Sequence, residues 1–386
     1  MSNSDQFVYF DHNGTSPVST THYYKVVEKL LNCEGNPSST HFFGQRARRA
    51  VDESREAVSQ LIACKQDELY FTGGASESNN TVIKGVCHHS KNTDHQNPPT
   101  VIVSEAEHSS VINSAVHTES QDLCNLKKVG VDKFGKVDPK ETLELIDSDT
   151  RLISLIYVNN ETGIINPVKE IAKLVKEENP GIHVHIDGVQ ALGKIDCTWI
   201  GDSLIDSASF SGHKLASFKG IGVLYIREGN TIHPLIDGGG QESGMRAGTE
   251  NLQGIVSLGL RANEILGDPH SLDHVTEIWS YLFDQLEKRK DIRIHTHREF
   301  SVKNTINFHI ENVDPSIVNS CFNKYRIAVS KGSACSSSSL KPSRVLLAMG
   351  YSKEVAMSSI RVSLGWNSTM DEANYFLRCI EEIIER

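Results

Sequence analysis

The sequence predicts an α/β fold, with a mostly parallel seven-stranded sheet in a large domain and a smaller α+β domain beside it. Two observations lead to this fold. Short apolar stretches alternate with helical patterns between positions 69 and 226, and such alternation is typical of a parallel sheet covered on both faces. The pattern becomes mixed after position 267. A chain of 386 residues is long enough for two domains, which we place at 15–266 and at 1–14 together with 267–386.

The chain is predicted to begin with an extended, turn-rich segment and two helices. Residues 11–17 form a polar turn, and a helix follows over 20–31. The stretch 35–41 contains glycine, proline and serine, which break or cap helices. Apolar residues at a spacing near 3.6 then predict a second helix over 44–64.

The seven strands of the predicted large sheet are short stretches of mainly apolar residues. They span 69–72, 100–103, 125–129, 152–158, 183–186, 205–210 and 223–226. A helix is predicted to open at 73–80, and further helices to span 109–117, 139–146 and 167–178. In the small domain we expect helices at 275–288, 316–322, 343–349 and 371–385, with strands at 292–295, 305–310, 327–330 and 360–364.

The composition limits the classes of function. The formal net charge is -10 and no long basic run occurs, which argues against direct binding of a nucleic-acid duplex. No apolar stretch reaches membrane-spanning length, and the N-terminus lacks the basic and apolar regions of a signal peptide. The eight cysteines form no CxxC pair, so we expect neither a disulfide framework nor a metal site, and a cytoplasmic protein.

Polar side chains follow five of the predicted strands. They are Ser76, His108, Asn160, Asp187 and Lys214. Ligands of α/β proteins bind at the carboxyl edge of the sheet. The coincidence of these five side chains at that edge therefore predicts a ligand site.

Each of these residues also has a structural interpretation. The turn 73–76 offers free amides and the Ser76 hydroxyl to a phosphate, yet many strand-to-helix turns are rich in glycine. His108 is also suited to capping a helix. Alternation places His183, His185 and Asp187 on one face of a strand. This arrangement fits a polar strand end, a ligand contact by Asp187 or, less well, a metal site, since three ligands on one short strand do not converge easily.

Three further residues have chemistry that their surroundings single out. Lys214 lies among serine, glycine and histidine between two strands. There it can form a Schiff base or belong to a basic surface loop. Cys335 lies in a Gly/Ser loop, as either a reactive thiol or an incidental one. Arg361 lies in an apolar strand and requires a carboxylate partner, either in the protein or in a substrate.

The chain resembles the cysteine desulfurases of the NifS/IscS type, in the fold-type I, class V aminotransferase group. The resemblance extends from Phe10 to Gly365. The segments that carry it are 36–39, 73–80, 107–108, 158–163, 185–190, 211–222, 238–242, 246–251, 332–342 and 359–365. It implies a homodimer that depends on pyridoxal 5'-phosphate (PLP) and converts L-cysteine to L-alanine.

The resemblance also implies a role for individual residues. Lys214 holds PLP as a Schiff base, and Cys335 attacks the substrate sulfur and keeps a persulfide. The phosphate is bound by Gly74, Ala75, Ser76, Ser211 and His213, with Thr249 of the other subunit. Asp187 pairs with the pyridine nitrogen, Gln190 with the phenolic oxygen, and His108 stacks on the ring. Asn160 and Arg361 bind the substrate carboxylate.

The sequence departs from the family pattern at several points. Ser76 replaces the usual threonine, which keeps the hydroxyl, and the loop 216–220 differs from the common Tyr-Gly-Pro-Lys-Gly. The short stretch after the last predicted helix makes an iron–sulfur scaffold partner doubtful. Iron–sulfur assembly, tRNA thiolation and DNA phosphorothioation all remain open as destinations of the sulfur. The alternative activity is a thiol-independent PLP lyase or aminotransferase of the same fold.

Overall fold

The structure is a computed structural model that describes residues 7–92, 97–331 and 341–385. It contains three β-sheets of seven, four and two strands. The strands are Val8–Tyr9 (β1), Leu69–Thr72 (β2), Thr100–Ser104 (β3), Asn125–Val129 (β4), Thr150–Ile156 (β5), His183–Asp187 (β6), Ser207–Ser211 (β7), Gly222–Ile226 (β8), Ile292–Ile294 (β9), Thr305–Ile310 (β10), Ile327–Ala328 (β11), Ser330–Lys331 (β12) and Ile360–Ser363 (β13).

Helices account for much of the remaining described chain. They are Thr20–Leu30 (α1), Phe42–Ile62 (α2), Ala75–Asn92 (α3), Ser109–Ser120 (α4), Pro139–Glu144 (α5), Val168–Glu178 (α6), Leu252–Gly267 (α7), Asp273–Glu287 (α8), Pro315–Lys324 (α9), Arg344–Ala348 (α10), Lys353–Ser358 (α11) and Met370–Ile384 (α12). None of the helices in the described ranges is both long and apolar enough to cross a membrane.

The seven-stranded sheet has the order β2-β8-β7-β6-β5-β3-β4. All neighbouring pairs from β7 to β4 are parallel. Strand β8 is antiparallel to both β2 and β7, so β2 points the same way as the parallel strands. The predicted mostly parallel α/β sheet is therefore confirmed, and the carboxyl ends of six strands lie at one edge.

Alternation of apolar side chains explains why helices cover both faces of this sheet. Val101 and Val103 pack with residues of α3 and α4, whereas Ile102 between them packs with residues of α2, α6 and α7. All five residues of β3 are buried. Burial on both faces is typical of parallel strands joined by crossover helices.

A second hydrophobic core surrounds the four-stranded sheet β12-β13-β10-β9. It includes buried residues of α8, α9 and α12, of which Trp279 is among the largest fully buried side chains. Val8 and Phe10 from the start of the chain also belong to this core. We interpret the two cores as the large and small domains, while the exact boundaries at positions 14 and 266 stay predictions.

Helix α7 was not predicted from the sequence, and two short strands were predicted as one. Gly254 and Gly259 weaken the helical pattern of α7, but both are needed for close packing. A Cβ on Gly259 would lie 2.5 Å from the Ser54 side chain on α2, and one on Gly254 would lie 2.8 Å from Ile221. The strand predicted at 327–330 is two strands, because β11 pairs with β1 whereas β12 pairs with β13.

Candidate active site

A cavity of about 680 Å³ opens at the carboxyl edge of the central sheet. Small-molecule sites typically enclose about 300–1,000 Å³. Eleven of the residues predicted from the sequence line this cavity: Gly74, Ala75, Ser76, His108, Asn160, Asp187, Gln190, Ser211, His213, Lys214 and Arg361. The structure therefore brings these distant sequence positions to one site.

Two predicted residues are not part of this arrangement. Thr249 lies exposed in the loop that follows Arg246, and it is not among the residues that line the cavity. Cys335 lies outside the described residues. The roles of Thr249 and Cys335 therefore stay predictions.

A tight turn between β2 and α3 forms one end of the cavity. Gly74 has φ +151°, which favours glycine. The first bonds of α3 run from the amides of Glu77 and Ser78 to the Gly74 carbonyl, at 3.0 and 3.1 Å. The preceding amides of Ala75 and Ser76 lie at the positive end of the helix dipole and are suited to binding a phosphate.

The close approach of strand β8 fixes the position of this turn. A Cβ on Gly222 would lie 2.5 Å from the Cα of Gly74. The first residue of β8 must therefore be glycine if the turn is to keep its place. Glu77 also holds the turn, because one oxygen accepts from the Gly73 amide at 3.0 Å and the other accepts from Arg246 at 3.0 Å.

His213 supplies a neutral ring at the same end of the cavity. Burial, followed by the positive charges of Lys214 and Lys219, lowers the pKa of His213 to about 4. Its Nδ1 lies 3.1 Å from the hydroxyl of Thr15. When Nδ1 accepts a hydrogen bond from this hydroxyl, Nε2 carries the ring proton and can donate to an anion.

Asp187 is the last residue of β6, and its carboxylate lines the cavity. It is 3% exposed. Its two oxygens accept from the side-chain amide of Asn79 at 2.9 Å and from the backbone amide of Val189 at 3.1 Å. These bonds fix the carboxylate in an orientation suited to a protonated ring nitrogen.

The side chain of Asn79 links Asp187 to the histidines of β6. Its oxygen lies 3.0 Å from Nε2 of His185, whose Nδ1 lies 2.8 Å from Ser207. Burial and the neighbouring His183 lower the pKa of His185 to about 3, so this ring is neutral. The predicted common face of His183, His185 and Asp187 is confirmed, and the two histidines bond to Ser207 in the sheet.

His108 caps a helix, as its sequence position allowed, and it also lies at the cavity, while its contact with a cofactor ring stays a prediction. It caps α4, since its Nδ1 accepts from the Ser110 amide at 3.2 Å. It also lines the cavity. The preceding residue, Glu107, accepts from the Ile156 amide at 2.5 Å. Burial, followed by the charge of Asp187, raises the pKa of Glu107 well above its ordinary value.

Lys214 extends its amine into the cavity from a single 3-10 turn after β7. The amine donates to the backbone carbonyls of Asn13 at 2.5 Å and Gly14 at 2.6 Å. Ala216 ends the turn with φ 62°. The lysine is therefore a residue of the cavity and not of an exposed basic loop.

Arg361 lies opposite these residues, on β13 of the second sheet. It is 4% exposed, and it donates to the Asn160 carbonyl at 2.9 Å and to the Asp11 carboxylate at 2.6 Å. Within the described ranges its Nε has no hydrogen-bond partner. Arg361 therefore has a carboxylate partner within the protein, Asp11, and places a buried positive charge at the lining of the cavity.

Residues 8–376 match the family described as Aminotransferase class-V. The chain belongs to this family. Enzymes of class V use PLP, and the cavity suits that cofactor, since it combines a helix N-terminus, a lysine amine and a buried aspartate. The residues alone predicted a phosphate at the turn 73–76 and a Schiff base at Lys214, whereas the pairing of Asp187 with a ring nitrogen is implied by the family resemblance.

Class V relatives are similar to this chain over nearly its whole length. "Cysteine desulfurase IscS" of Dictyoglomus turgidum is 39% identical, over 98% of this chain and 95% of the relative. The solved structure titled "NIFS-LIKE PROTEIN" is 34% identical with a TM-score of 0.89, over 98% of this chain and 100% of the other. A structure titled "SspA in complex with cysteine" is 30% identical with a TM-score of 0.80, over 92% and 98% of the two chains.

Two residues that hold this class V site together were assigned no role from the sequence. Asn13 contacts Lys214, Gln190 and Lys194, and Asn79 contacts Asp187. Asn79 lies one position before the end of a segment that carries the family resemblance, which was the available signal. Asn13 had only its place in a turn-rich stretch.

Proposed function

We propose that the protein is a PLP-dependent cysteine desulfurase, which converts L-cysteine to L-alanine and leaves a persulfide on Cys335. One observation carries this proposal: the amine of Lys214 lies in one cavity with the carboxylate of Asp187 and the guanidinium of Arg361. These three groups are suited to an aldehyde, a ring nitrogen and a substrate carboxylate.

Residues of the chain would hold the cofactor at several points. Ser76, Ser211 and His213, with the first amides of α3, would bind the phosphate. Asp187 would keep the pyridine nitrogen protonated, and His108 would stack on the ring. When bound, PLP supplies an electron sink that stabilises negative charge on the substrate's Cα.

Lys214 has two tasks in this mechanism. It binds the cofactor covalently before the substrate arrives. It then serves as the base that removes the proton from the substrate's Cα and later returns it. The carbonyls of Asn13 and Gly14 lie 2.5 and 2.6 Å from its amine, and they keep the free amine inside the cavity during these steps.

Arg361 and Asn160 position the substrate. Arg361 is held by the Asn160 carbonyl and by Asp11, and its guanidinium lines the cavity, where its positive charge attracts the carboxylate of cysteine. A fixed guanidinium binds a carboxylate in a defined orientation. This orientation determines which bond at Cα faces Lys214.

Cys335 then takes the sulfur. Its thiolate attacks the substrate Sγ, so that an S–S bond forms and the Cβ–S bond of the substrate breaks. The electron pair remains on Cβ, which is protonated, and alanine leaves. Cys335 keeps the persulfide until an acceptor thiolate attacks the outer sulfur.

The seven described cysteines do not fit this role. They are free thiols, and only Cys64 is not fully buried. Burial raises the pKa of Cys64, Cys197 and Cys379 to about 12. Since a thiolate is the nucleophile, these residues are inert at neutral pH. The seven described cysteines, all of them free thiols, also support a reducing, cytoplasmic location.

The active unit is a two-fold homodimer in this proposal. Thr249 is exposed and is not among the residues that line the cavity of its own chain, which agrees with a phosphate contact in the other subunit. A symmetric interface would then complete both sites. Sedimentation velocity should give a dimer, and a fully active monomer at low concentration would contradict this.

The Cys335→Ser variant tests the proposed activity. It should bind PLP and L-cysteine normally, because Lys214 and Arg361 remain, but it should release no alanine and no sulfide in dithiothreitol. Cys64→Ser is the matched control and should keep the wild-type rate. Alanine is measured by chromatography and sulfide by methylene blue formation.

One outcome would move the assignment to the alternative activity. If Cys335→Ser released sulfide at the wild-type rate, the enzyme would be a thiol-independent PLP lyase of the same fold. If the variant lost sulfide release but still transferred amino groups to a keto acid, the aminotransferase alternative would be favoured.

A further inference from the structure

A short turn after β6 carries Gln190, which lines the cavity, and Lys194, which is not among the lining residues but contacts Gln190. Gln190 and Lys194 are four positions apart, and the amide of Lys194 bonds to the Ala191 carbonyl at 3.0 Å, as in a helical turn. Such spacing puts both side chains on one side. Gly193 between them has φ +72°, and a Cβ there would lie 2.6 Å from Leu215. The turn is therefore held directly beside Lys214.

The Lys194 amine is enclosed among acceptors. It donates to the side-chain oxygen of Asn13 at 3.0 Å and to Oε1 of Gln190. The side-chain amide of Asn13 cannot flip, because its nitrogen already donates to the Thr305 hydroxyl at 2.8 Å and to the Asn160 carbonyl at 3.2 Å. Lys194 is thus a donor to two fixed oxygens.

Burying the amine of Lys194 costs free energy, and the packing of the turn does not require a lysine at this position. Burial, followed by the charges of Lys214 and Arg361, holds the pKa of Lys194 well below its ordinary value. An apolar residue would avoid that cost. Retaining the amine is therefore worthwhile only if its two contacts serve the site.

The contact with Gln190 determines which end of its amide faces which neighbour. Oε1 accepts from Lys194, and Nε2 donates one hydrogen to the Asn13 carbonyl at 3.1 Å. The second hydrogen of Nε2 is left for a ligand. The Asn13 carbonyl also accepts from Lys214, so Gln190 Nε2 shares this acceptor with a second donor. Among the described residues, the hydrogen bond to Oε1 of Gln190 comes from Lys194.

We propose that Lys194 is a positioning residue, which clamps Gln190 to Asn13 so that the amide N–H of Gln190, and not its oxygen, faces the phenolic oxygen of the cofactor. The inference rests on the proposed PLP function. It adds a residue that touches neither cofactor nor substrate but acts through Gln190. A reversed amide would present an acceptor to a phenolate and weaken its binding.

The test uses the purified full-length enzyme with Lys194→Met, which keeps the side-chain length without donors. Its apoprotein should bind PLP about tenfold more weakly, as expected for one lost hydrogen bond to a charged group. The pH midpoint of the visible absorbance of bound PLP should rise by roughly one unit, because the phenolate loses its donor. Lys194→Gln is the second variant, in case Lys194→Met does not fold, and should shift both values in the same direction.

A double variant separates this role from a general effect of charge. In the Gln190→Leu background, Lys194→Met should change neither value further, since the two residues act as one unit. Lys176→Met is the control: Lys176 pairs with the buried Asp206 at 2.6 Å, so its loss should lower the melting temperature without moving the absorbance midpoint.

The outcomes distinguish this inference from the proposed function. If wild type and Gln190→Leu both bind PLP with different midpoints but Lys194→Met matches wild type, only the role of Lys194 is overturned. An effect of Lys194→Met that persists in full in Gln190→Leu would also overturn it, since Lys194 would then act by charge. If wild type binds no PLP, both proposals fail.

Discussion

At the scale of single residues, the site could be predicted where the chemistry lies in one side chain. The cavity is lined by Lys214, Asp187 and Arg361, each of which stood out because a charged group followed or interrupted an apolar strand. Their partners could not be predicted in the same way. Asn13 reaches Lys214 across 201 positions, and neither its type nor its neighbours indicate that contact. Such pairings depend on the tertiary fold.

Lys214→Ala should abolish turnover of cysteine, because the variant lacks both the covalent link to PLP and the base at Cα. The loss should be at least about 10²-fold, the lower end of what a positioned general base contributes. Borohydride treatment followed by peptide mass spectrometry should find PLP on Lys214 in wild type alone. Lys173→Ala, an exposed lysine of α6, is the matched control. Wild-type turnover by Lys214→Ala would refute the assignment.

At the scale of secondary structure, the seven strands of the large sheet were all predicted from the sequence, whereas helix α7 was not. Each strand of the large sheet was found from its apolar residues, and no boundary moved by more than two positions. Helix α7 was missed because Gly254 and Gly259 disfavour helix in isolation. Both glycines permit contacts with other elements, which are not visible in a local pattern. Tertiary packing here outweighs local propensity.

Gly222→Ala should weaken binding of PLP by tenfold or more. Its new Cβ would lie 2.5 Å from the Cα of Gly74, so the turn that presents the first amides of α3 has to move. A hydrogen bond to a charged group contributes about 1.5–3 kcal/mol, and more than one would be displaced. The binding constant is measured by titrating apoprotein with PLP.

The control for this substitution is Gly130→Ala. There the nearest atom would be 3.7 Å away, an ordinary contact with Glu141. This variant should bind PLP as wild type does. Equal affinities of Gly222→Ala and wild type would show that the turn does not contribute to phosphate binding.

At the scale of the whole molecule, the sequence predicted two domains and assigned residues 1–14 to the smaller one. Val8 and Phe10 lie in the second core, as this assignment expects, although most of that core comes from residues after position 272. The contact between Arg361 of the second sheet and Asn160, in the loop after β5, was not predicted. The cavity therefore needs both sheets, and the start of the chain connects them through Asp11 and Asn13.

Buried histidines should make the whole protein less stable in mild acid. The pKa values of His12, His183 and His295 are lowered to about 4, mainly by burial, as is that of His213, and that of His185 is lowered to about 3. In the unfolded chain these rings take up protons near pH 6.5. Between about pH 6.5 and pH 4 the unfolded state therefore binds more protons, and the free energy of unfolding falls as pH is lowered.

Two buried acids act in the opposite direction. Burial raises the pKa of Glu107 and Glu161, so they favour the folded state as pH falls towards 4.5. Five histidines outnumber them, and each fully buried ring contributes up to about 1.4 kcal/mol per pH unit within its window. Denaturant unfolding at pH 7.5, 6.0 and 5.0 should therefore show a midpoint that decreases at each step. A midpoint that stays constant or increases towards pH 5.0 would mean that these rings are solvated or paired with acids in the folded protein.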